Sequence, residues 1–206
     1  MKKMSIQKSI SELKRAIFTT RELAEVSGKS LSSATQSLNH LEREGVVRKI
    51  YRGIWIDTRD PKVSPYIAVP FLLPKHRVYV SFISALHLHH IVEQIPQVVT
   101  LASTSRTKTI KTKIGTFCMH QINPSFFKGF DWYKKTGDFL IAEPEKALVD
   151  SLYLSAYKKR QFGYFPELHF PKTFSFKKVK YWASLIPSLR VRKNVQKKLK
   201  VMNLTE

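Results

Sequence analysis

The order of apolar and polar residues in the first 57 positions predicts three short helices followed by a β-hairpin. Apolar residues recur at spacings of four, three and four on one face of a first helix: Ile6, Ile10, Leu13 and Ile17. Thr19 followed three residues later by Glu22 is a capping-box pattern, which predicts that a second helix begins there. Gly28 then marks a tight turn, because glycine adopts left-handed backbone angles without a steric penalty.

A third helix is predicted to begin after Ser30, whose side chain can cap its first turn. Its core-facing residues recur at spacings of three, four and three: Leu31, Ala34, Leu38 and Leu41. Two apolar strands are expected at 46–50 and 54–56, joined by a glycine-containing turn at 51–53. Three helices and a basic hairpin in this order predict a winged helix-turn-helix domain over residues 1–57.

The solvent side of the third helix has the composition of a surface that reads DNA. Short hydrogen-bonding side chains and one arginine predominate there, whereas a merely solvated helix face would carry more Glu and Lys. The predicted contacts on and before this helix are Arg21, Ser30, Ser32, Ser33, Thr35, Gln36, Asn39, His40 and Arg43. The hairpin adds candidates for the phosphate backbone or the minor groove: Arg48, Lys49, Tyr51 and Arg52. A winged helix used only for protein contacts is the alternative interpretation.

The remainder of the chain mixes helical and strand patterns, which predicts an α+β domain over residues 62–206. A proline-containing linker is expected at 57–61. Strands are predicted at 97–102, 114–122 and 139–142, and helices at 82–93, 176–186 and 189–199. A further helix is expected to begin at Pro144, since a proline at the first helical position costs no hydrogen bond. Its inner stripe is predicted to contain Leu148, Leu152 and Ser155, joined by Ala147, Ser151 and Leu154.

The charge of the chain favours a polyanionic partner. Against 15 Asp and Glu stand 36 Lys and Arg, a formal net charge of +21, so nucleic acid is the first candidate and an anionic membrane surface the second. The last 56 residues hold 13 basic and 2 acidic side chains, which predicts a basic helical tail from about residue 158. Its candidate contacts to a nucleic-acid backbone are Arg190, Arg192, Lys193, Lys197 and Lys198. A solvated face with no ligand is the equally weighted alternative.

Three absences in the sequence bear on its compartment. The chain has one cysteine, so no internal disulfide can form, which fits a reducing environment. No apolar segment of a secretory signal follows the basic start, and no run of eighteen apolar residues occurs. We therefore expect a cytoplasmic protein that does not enter a membrane.

Two constellations of polar residues suggest chemistry but lack a necessary part. Four residues at 82–93 form pairs that could share a helix face, His87 with His90 and His89 with Glu93, but zinc needs further ligands within reach. The segment Glu-Pro-Glu-Lys at 143–146, with Asp138 upstream, is similar to a metal-dependent nuclease core, except that Pro144 stands where that chemistry needs an acid. We expect no metal, no cofactor and no enzymatic activity. A metal-dependent nuclease and an RNA-binding adaptor are the alternatives.

Two further segments resemble a known family when they are combined with the predicted winged helix. They are Ser-Phe-Ile-Ser-Ala-Leu-His at 81–87 and Ala-Glu-Pro-Glu-Lys-Ala-Leu-Val-Asp at 142–150. Over residues 5–157 the chain resembles the AbiEi antitoxins of toxin–antitoxin systems that act in abortive infection. The resemblance implies a repressor that binds operator DNA of its own operon and carries antitoxin activity in its C-terminal domain. The implied partner is a nucleotidyltransferase-like toxin encoded next door, with or without direct contact between the two.

Overall fold

The computed structural model describes residues 5–60, 64–135, 138–157 and 165–203. Within these ranges the fold is α+β, as predicted, with eight α-helices and two sheets. Contacts divide the chain into a first unit, Met1–Pro74 with Lys111–Gly115, and a second unit, Lys75–Ile110 with Thr116–Glu206. The linker expected at 57–61 falls within the first unit, and its last residue, 61, lies outside the described ranges.

The first unit combines short helices with a three-stranded antiparallel sheet. Its elements are α1 (Ile6–Glu12), β1 (Ile17–Thr19), α2 (Thr20–Ser27), α3 (Leu31–Arg43), β2 (Val47–Tyr51), β3 (Ile54–Asp57), a 3₁₀ turn (Pro65–Ala68) and α4 (Val69–Leu72). The strand order is β1-β3-β2, so β3 lies in the centre. The predicted hairpin is therefore present as β2 and β3.

The helix starts predicted from the sequence are confirmed in the first unit. The Glu22 carboxylate accepts a 2.8 Å hydrogen bond from the Thr19 N–H, and Thr19 Oγ1 accepts one of 3.2 Å from the Glu22 N–H. Ser30 Oγ accepts a 3.2 Å bond from the Ser33 N–H. Gly28 ends α2 with a φ of 65°, as its assignment to a tight turn requires.

Periodicity predicts the wrong element for Ile17 and the wrong exposure for Leu31. Ile17 does not extend α1, because Lys14 takes a φ of 50° beyond the helix end, and Ile17 instead pairs with Ile56 in the sheet. Leu31 is 53% exposed rather than buried. It is the first residue of α3 and lies ahead of the turns that reach the core through Ala34, Leu38 and Leu41.

The core of the first unit joins α1, α2 and α3 to the sheet. Its buried cluster contains Ile6, Ile10, Phe18, Leu23, Leu38, Leu41, Val47 and Trp55. The Trp55 indole N–H donates a 2.9 Å hydrogen bond to Thr20 Oγ1, so this buried polar group is satisfied. The contact ties the hairpin to the start of α2.

The second unit is built on a mixed six-stranded sheet with the order β6-β7-β5-β4-β9-β8. Its strands are β4 (Val78–Val80), β5 (Val98–Ser103), β6 (Lys108–Thr112), β7 (Gly115–Gln121), β8 (Phe130–Trp132) and β9 (Leu140–Ala142). Its helices are α5 (Phe82–Leu88), α6 (Pro144–Ser155), α7 (Phe176–Ser184) and α8 (Leu189–Asn203), with a 3₁₀ turn at Pro124–Phe126. The strands predicted at 97–102, 114–122 and 139–142 are confirmed. The segment Lys111–Gly115, which contains the end of β6, the turn and the first residue of β7, groups with the first unit.

Helix α6 begins at Pro144 as predicted, and all six residues predicted to face inward are buried, but burial is not confined to them. Every residue from Glu145 to Ser155 is buried, because α5, α7 and α8 all pack against this helix. A helix enclosed on all sides cannot show an amphipathic pattern. The helix predicted at 82–93 is also shorter than expected, since α5 ends at Leu88 and His90 takes a φ of 59°.

The two tail helices are confirmed, with Val179, Trp182, Val195 and Leu199 buried. The first part of the predicted tail, residues 158–164, lies outside the described residues. No described helix is both long and apolar enough to cross a membrane.

Candidate nucleic-acid interface

Helix α3 exposes one continuous polar stripe. Four side chains at spacings of four, three and four form this stripe, and all four are exposed: Ser32, Gln36, Asn39 and Arg43. The opposite side of the helix is buried through Ala34, Leu38 and Leu41. His40, also exposed, lies beside the stripe with its Nε2 3.1 Å from the Glu44 carboxylate. The sequence prediction of a hydrogen-bonding solvent face thus corresponds to one physical surface.

Two other predicted residues, Ser30 and Thr35, form side-chain hydrogen bonds with the backbone of the helix. Ser30 caps α3 through its bond with the Ser33 N–H. The Thr35 hydroxyl donates a 2.8 Å hydrogen bond to the Leu31 carbonyl. Arg21 is exposed in the first turn of α2. Ser30 and Thr35 therefore contribute to helix geometry, while the stripe supplies the outward-facing polar groups.

The hairpin places cations and an aromatic ring at its tip. Arg48, Tyr51 and Arg52 are exposed, and Gly53 closes the turn with a φ of 67°. Lys49 is half-buried, with its Nζ 5.5 Å from the centroid of the Trp55 ring. Guanidinium groups on a turn of this kind suit recognition of phosphate oxygens.

A carboxylate on α3 connects the helix to the hairpin. Glu42 Oε1 accepts a 2.8 Å hydrogen bond from the Lys49 N–H and lies 3.5 Å from Lys113 Nζ. The Lys113 N–H in turn donates a 3.2 Å bond to the Ile50 carbonyl. Sequence reasoning missed Lys113, because it follows the hairpin by some sixty residues and only tertiary pairing brings it there. Its charge compensates the acid on this side of α3.

A groove runs between α3 and the hairpin and encloses about 670 Å³. We call it the helix–hairpin groove, and its lining includes Arg21, Leu31, Thr35, Lys49, Tyr51, Arg52 and Trp55. The lining combines three cationic side chains with an apolar floor. The cationic side chains of such a groove can attract the phosphates of a nucleic-acid strand.

The candidate contacts of the basic tail divide into two groups. Arg190, Lys193 and Lys197 are exposed on α8. Arg192 instead donates through Nε to the Ile186 carbonyl at 2.9 Å, and Lys198 Nζ donates to Ser155 Oγ at 2.8 Å. These two residues thus already hold contacts within the second unit.

A second groove lies on α7 and α8 and encloses about 820 Å³. We call it the lysine groove, because four lysines line it with Gln196 above an apolar floor: Lys180, Lys193, Lys197 and Lys200. None of the four forms an ion pair within the part of the chain that the structure describes. Their uncompensated charge makes the groove attractive to anions.

Lys146, the lysine of the nuclease alternative, belongs to a closed, buried network. Lys146 and Asp150 are an ion pair, and both are fully buried. Asp150 also accepts hydrogen bonds from the Tyr79 hydroxyl at 3.0 Å and the Ser81 hydroxyl at 2.8 Å. Lys146 Nζ donates to the Tyr79 oxygen at 3.2 Å and lies 3.9 Å from the Phe126 ring centroid. All partners of this network are internal.

Burial changes the pKa values of two groups in this network. It lowers the pKa of Lys146, although the neighbouring Asp150 carboxylate acts to raise it. Burial and the neighbouring Asp150 carboxylate raise the pKa of the Tyr79 hydroxyl well above its usual value. Glu145, only 3% exposed, accepts a 2.9 Å hydrogen bond from the Ser175 N–H at the start of α7. Asp138 is exposed. The buried side chains Glu145, Lys146 and Asp150 thus join α6 to β4 and to the start of α7.

His87 of α5 and His89 in the turn after it bond to backbone carbonyls. His87 Nδ1 lies 3.1 Å from the Val92 carbonyl oxygen, and His89 Nε2 lies 2.8 Å from that of Ala142. Burial lowers the pKa of His89, although the bond to Ala142 opposes the shift. Across the described ranges, no three His, Cys, Asp or Glu side chains come together as a metal site.

Comparison with known proteins adds no assignment. No protein-family model matches this chain, and no curated protein is significantly similar to it.

Proposed function

We propose that the first unit is a winged helix-turn-helix that binds duplex DNA, with α3 in the major groove and the hairpin as the wing. The observation that carries this proposal is the exposed stripe of Ser32, Gln36, Asn39 and Arg43 beside a cationic hairpin tip. Amide and guanidinium groups form bidentate hydrogen bonds with adenine and guanine edges, respectively. Ser, Asn and Gln on one helical stripe are chemically suited to base edges rather than to a protein core.

In this proposal two arginines that line the helix–hairpin groove contact the phosphate backbone. Arg21 and Arg52 supply the guanidinium groups, while Glu42 is compensated by Lys113 and by its bond to Lys49. Phosphate contacts hold a protein in register on DNA, and base contacts select the sequence. The net charge of +21 adds affinity for any duplex, and this component falls steeply with salt.

The regulatory role that we propose is repression of the protein's own toxin–antitoxin operon in the cytoplasm. It rests on the resemblance of residues 81–87 and 142–150 to the AbiEi antitoxins. On this proposal the second unit carries the antitoxin activity against a nucleotidyltransferase-like toxin. Within 142–150, Lys146 and Asp150 are buried as an ion pair, so their contribution is to the stability of that unit.

Two other functions are weighed against this proposal. The nuclease alternative is not favoured, because Glu145, Lys146 and Asp150 are buried and bonded to protein groups. The RNA-binding adaptor is the second candidate, and the four lysines of the lysine groove are the observation that favours it. Preference for single-stranded RNA over duplex DNA at equal salt would establish it.

The test of DNA recognition is a gel-shift comparison at two stated salt concentrations. The full chain should bind the duplex upstream of its own gene more tightly than a shuffled duplex of equal composition. The difference should persist at the higher salt, where the charge-driven component weakens. Equal affinity for both duplexes would overturn sequence recognition by α3.

The antitoxin role has an independent test in cells. The full chain is co-expressed with the product of the adjacent gene, and growth is followed. Rescue of growth by the full chain and by a Gln36→Ala/Asn39→Ala variant would separate neutralisation from operator binding. Failure of the full chain to rescue, or a neighbour that is not toxic, would remove the antitoxin role and leave the DNA-binding proposal intact.

A further inference from the structure

Leu31 is an exposed leucine at the leading edge of α3, beside the polar stripe. It is 53% exposed, although the helical period places it with the core residues Ala34, Leu38 and Leu41. Exposed leucines are common singly and need no function on that ground alone. This one, however, lines the helix–hairpin groove together with Arg21 and Arg52, the proposed phosphate contacts.

The residue one turn further along α3 extends this apolar edge. Thr35 lies four residues after Leu31, so the two share a helix face. The Thr35 hydroxyl has a single proton, and it donates that proton to the Leu31 carbonyl at 2.8 Å. No hydroxyl donor is then left for a base edge, and the other group on this side chain is a methyl. Leu31 and Thr35 therefore form a donor-free edge next to Ser32 and Gln36.

The chemistry of the major groove allows one base to match such an edge. Adenine, guanine and cytosine present donors and acceptors there, whereas thymine also presents its C5-methyl group. Covering a polar base edge with a leucine would remove water from donors and acceptors without replacing their hydrogen bonds. In helix-turn-helix proteins the N-terminal residues of the recognition helix contact base edges.

We infer that Leu31, supported by Thr35, determines sequence specificity by packing on a thymine methyl group in the operator. The inference rests on the proposed function of the first unit. The proposed function has the stripe recognise bases by hydrogen bonds, and this inference adds an apolar base contact at the start of α3. We therefore expect the preferred DNA to contain a thymine that the protein recognises through its C5-methyl group.

The experiment uses the full chain and a duplex from the region upstream of its own gene. Each thymidine in turn is replaced by deoxyuridine, which removes only the C5-methyl group. At one or two positions the wild-type protein should bind the substituted duplex about fourfold more weakly, which is about 0.8 kcal/mol for one buried methyl group. Leu31→Ala should bind the thymidine and deoxyuridine duplexes equally at those positions. Circular dichroism of the variant should match the wild type, because Leu31 is outside the core.

Val26→Ala is the matched control, because Val26 is also an exposed apolar residue of the first unit but does not line the helix–hairpin groove. Like the wild type, this variant should bind the deoxyuridine duplex more weakly than the thymidine duplex. Absence of any preference for the upstream duplex over a shuffled one would overturn the proposed function and this inference with it. Sequence-specific binding that no deoxyuridine weakens would overturn the inference alone. A Leu31→Ala variant that still binds the deoxyuridine duplex more weakly would also overturn the inference. The same holds if the substitution changes only the sedimentation coefficient, which is expected if Leu31 packs against a second copy of the chain.

Discussion

The Glu42 carboxylate of α3 accepts a 2.8 Å hydrogen bond from the backbone N–H of Lys49 in β2. The bond joins the helix that carries the polar stripe to the hairpin that carries Arg52. Because both elements must contact one duplex at the same time, their relative position limits the affinity of the proposed interface. Glu42 is in this sense a positioning residue that need not touch DNA.

We expect Glu42→Ala to weaken specific DNA binding more than it lowers the stability of the protein. Loss of the acceptor should reduce the free energy of unfolding by about 1 kcal/mol. Glu42→Gln keeps an oxygen for the Lys49 N–H and should retain most of the binding. Urea unfolding and gel-shift titration of both variants check this. An alanine variant that binds the upstream duplex as well as the glutamine variant does would show that Glu42 has no positioning role.

Substitutions on the helix and on the hairpin should have different signatures. Gln36→Ala or Asn39→Ala should relax sequence preference by about 1–3 kcal/mol for each lost base contact. Arg52→Ala should weaken binding to every duplex alike and reduce the salt slope by about one. Arg106→Ala removes the same charge from an exposed position in the second unit and serves as the control. If the helix and hairpin variants behave alike, the assignment of α3 to bases and the hairpin to the backbone is wrong.

The buried pair of Lys146 and Asp150 should contribute strongly to the stability of the second unit. Lys146→Met or Asp150→Asn should each cost about 3–5 kcal/mol, because each leaves the other group buried without its partner. The double variant Lys146→Met/Asp150→Asn should cost much less than the two single costs together, since no charge remains buried. Unfolding in urea, followed by tryptophan fluorescence, to which Trp182 on α7 contributes, measures all three. Additive costs would contradict coupling within the network.

Glu22 makes the stability of the first unit dependent on pH. Burial acts to raise the pKa of Glu22, but bonds from the Thr19 N–H, the Thr19 hydroxyl and Arg15 together hold it below the ordinary value of 4.5. The unfolded chain therefore binds this proton more tightly. The stabilisation is complete above pH 4.5 and is lost as the pH falls through the folded-state value.

Glu22→Gln should flatten the acid limb of the pH–stability curve while keeping the capping box, which accepts glutamine at this position. Glu25→Gln, on the same helix but exposed and without an ion pair among the described residues, is the control and should leave the acid limb in place. Chemical unfolding between about pH 3 and 7 measures both. An unchanged acid limb in Glu22→Gln would assign the acid sensitivity to other carboxylates.

Local signals in the sequence were sufficient for helix starts, turns and several strands. Thr19 with Glu22, Ser30 and Pro144 each begin a helix as predicted, and Gly28 and Gly53 each close a turn. These features depend on hydrogen bonds and backbone angles within a few residues, so neighbouring residue types specify them. The polar character of α3 was visible for the same reason, since one helix face is set by spacing alone.

Tertiary packing decided the features that join distant parts of the chain. Ile17 became a strand residue because β3 supplied a pairing partner, and Leu31 remained outside because the core of the first unit ends before it. Helix α6 is enclosed on all sides, so its burial could not be read from an amphipathic period. Lys113 reaches Glu42 only through the turn at Lys111–Gly115, and no local rule relates residues so far apart in the chain. Periodicity predicts which face of an element is apolar, but only the folded chain determines what covers that face.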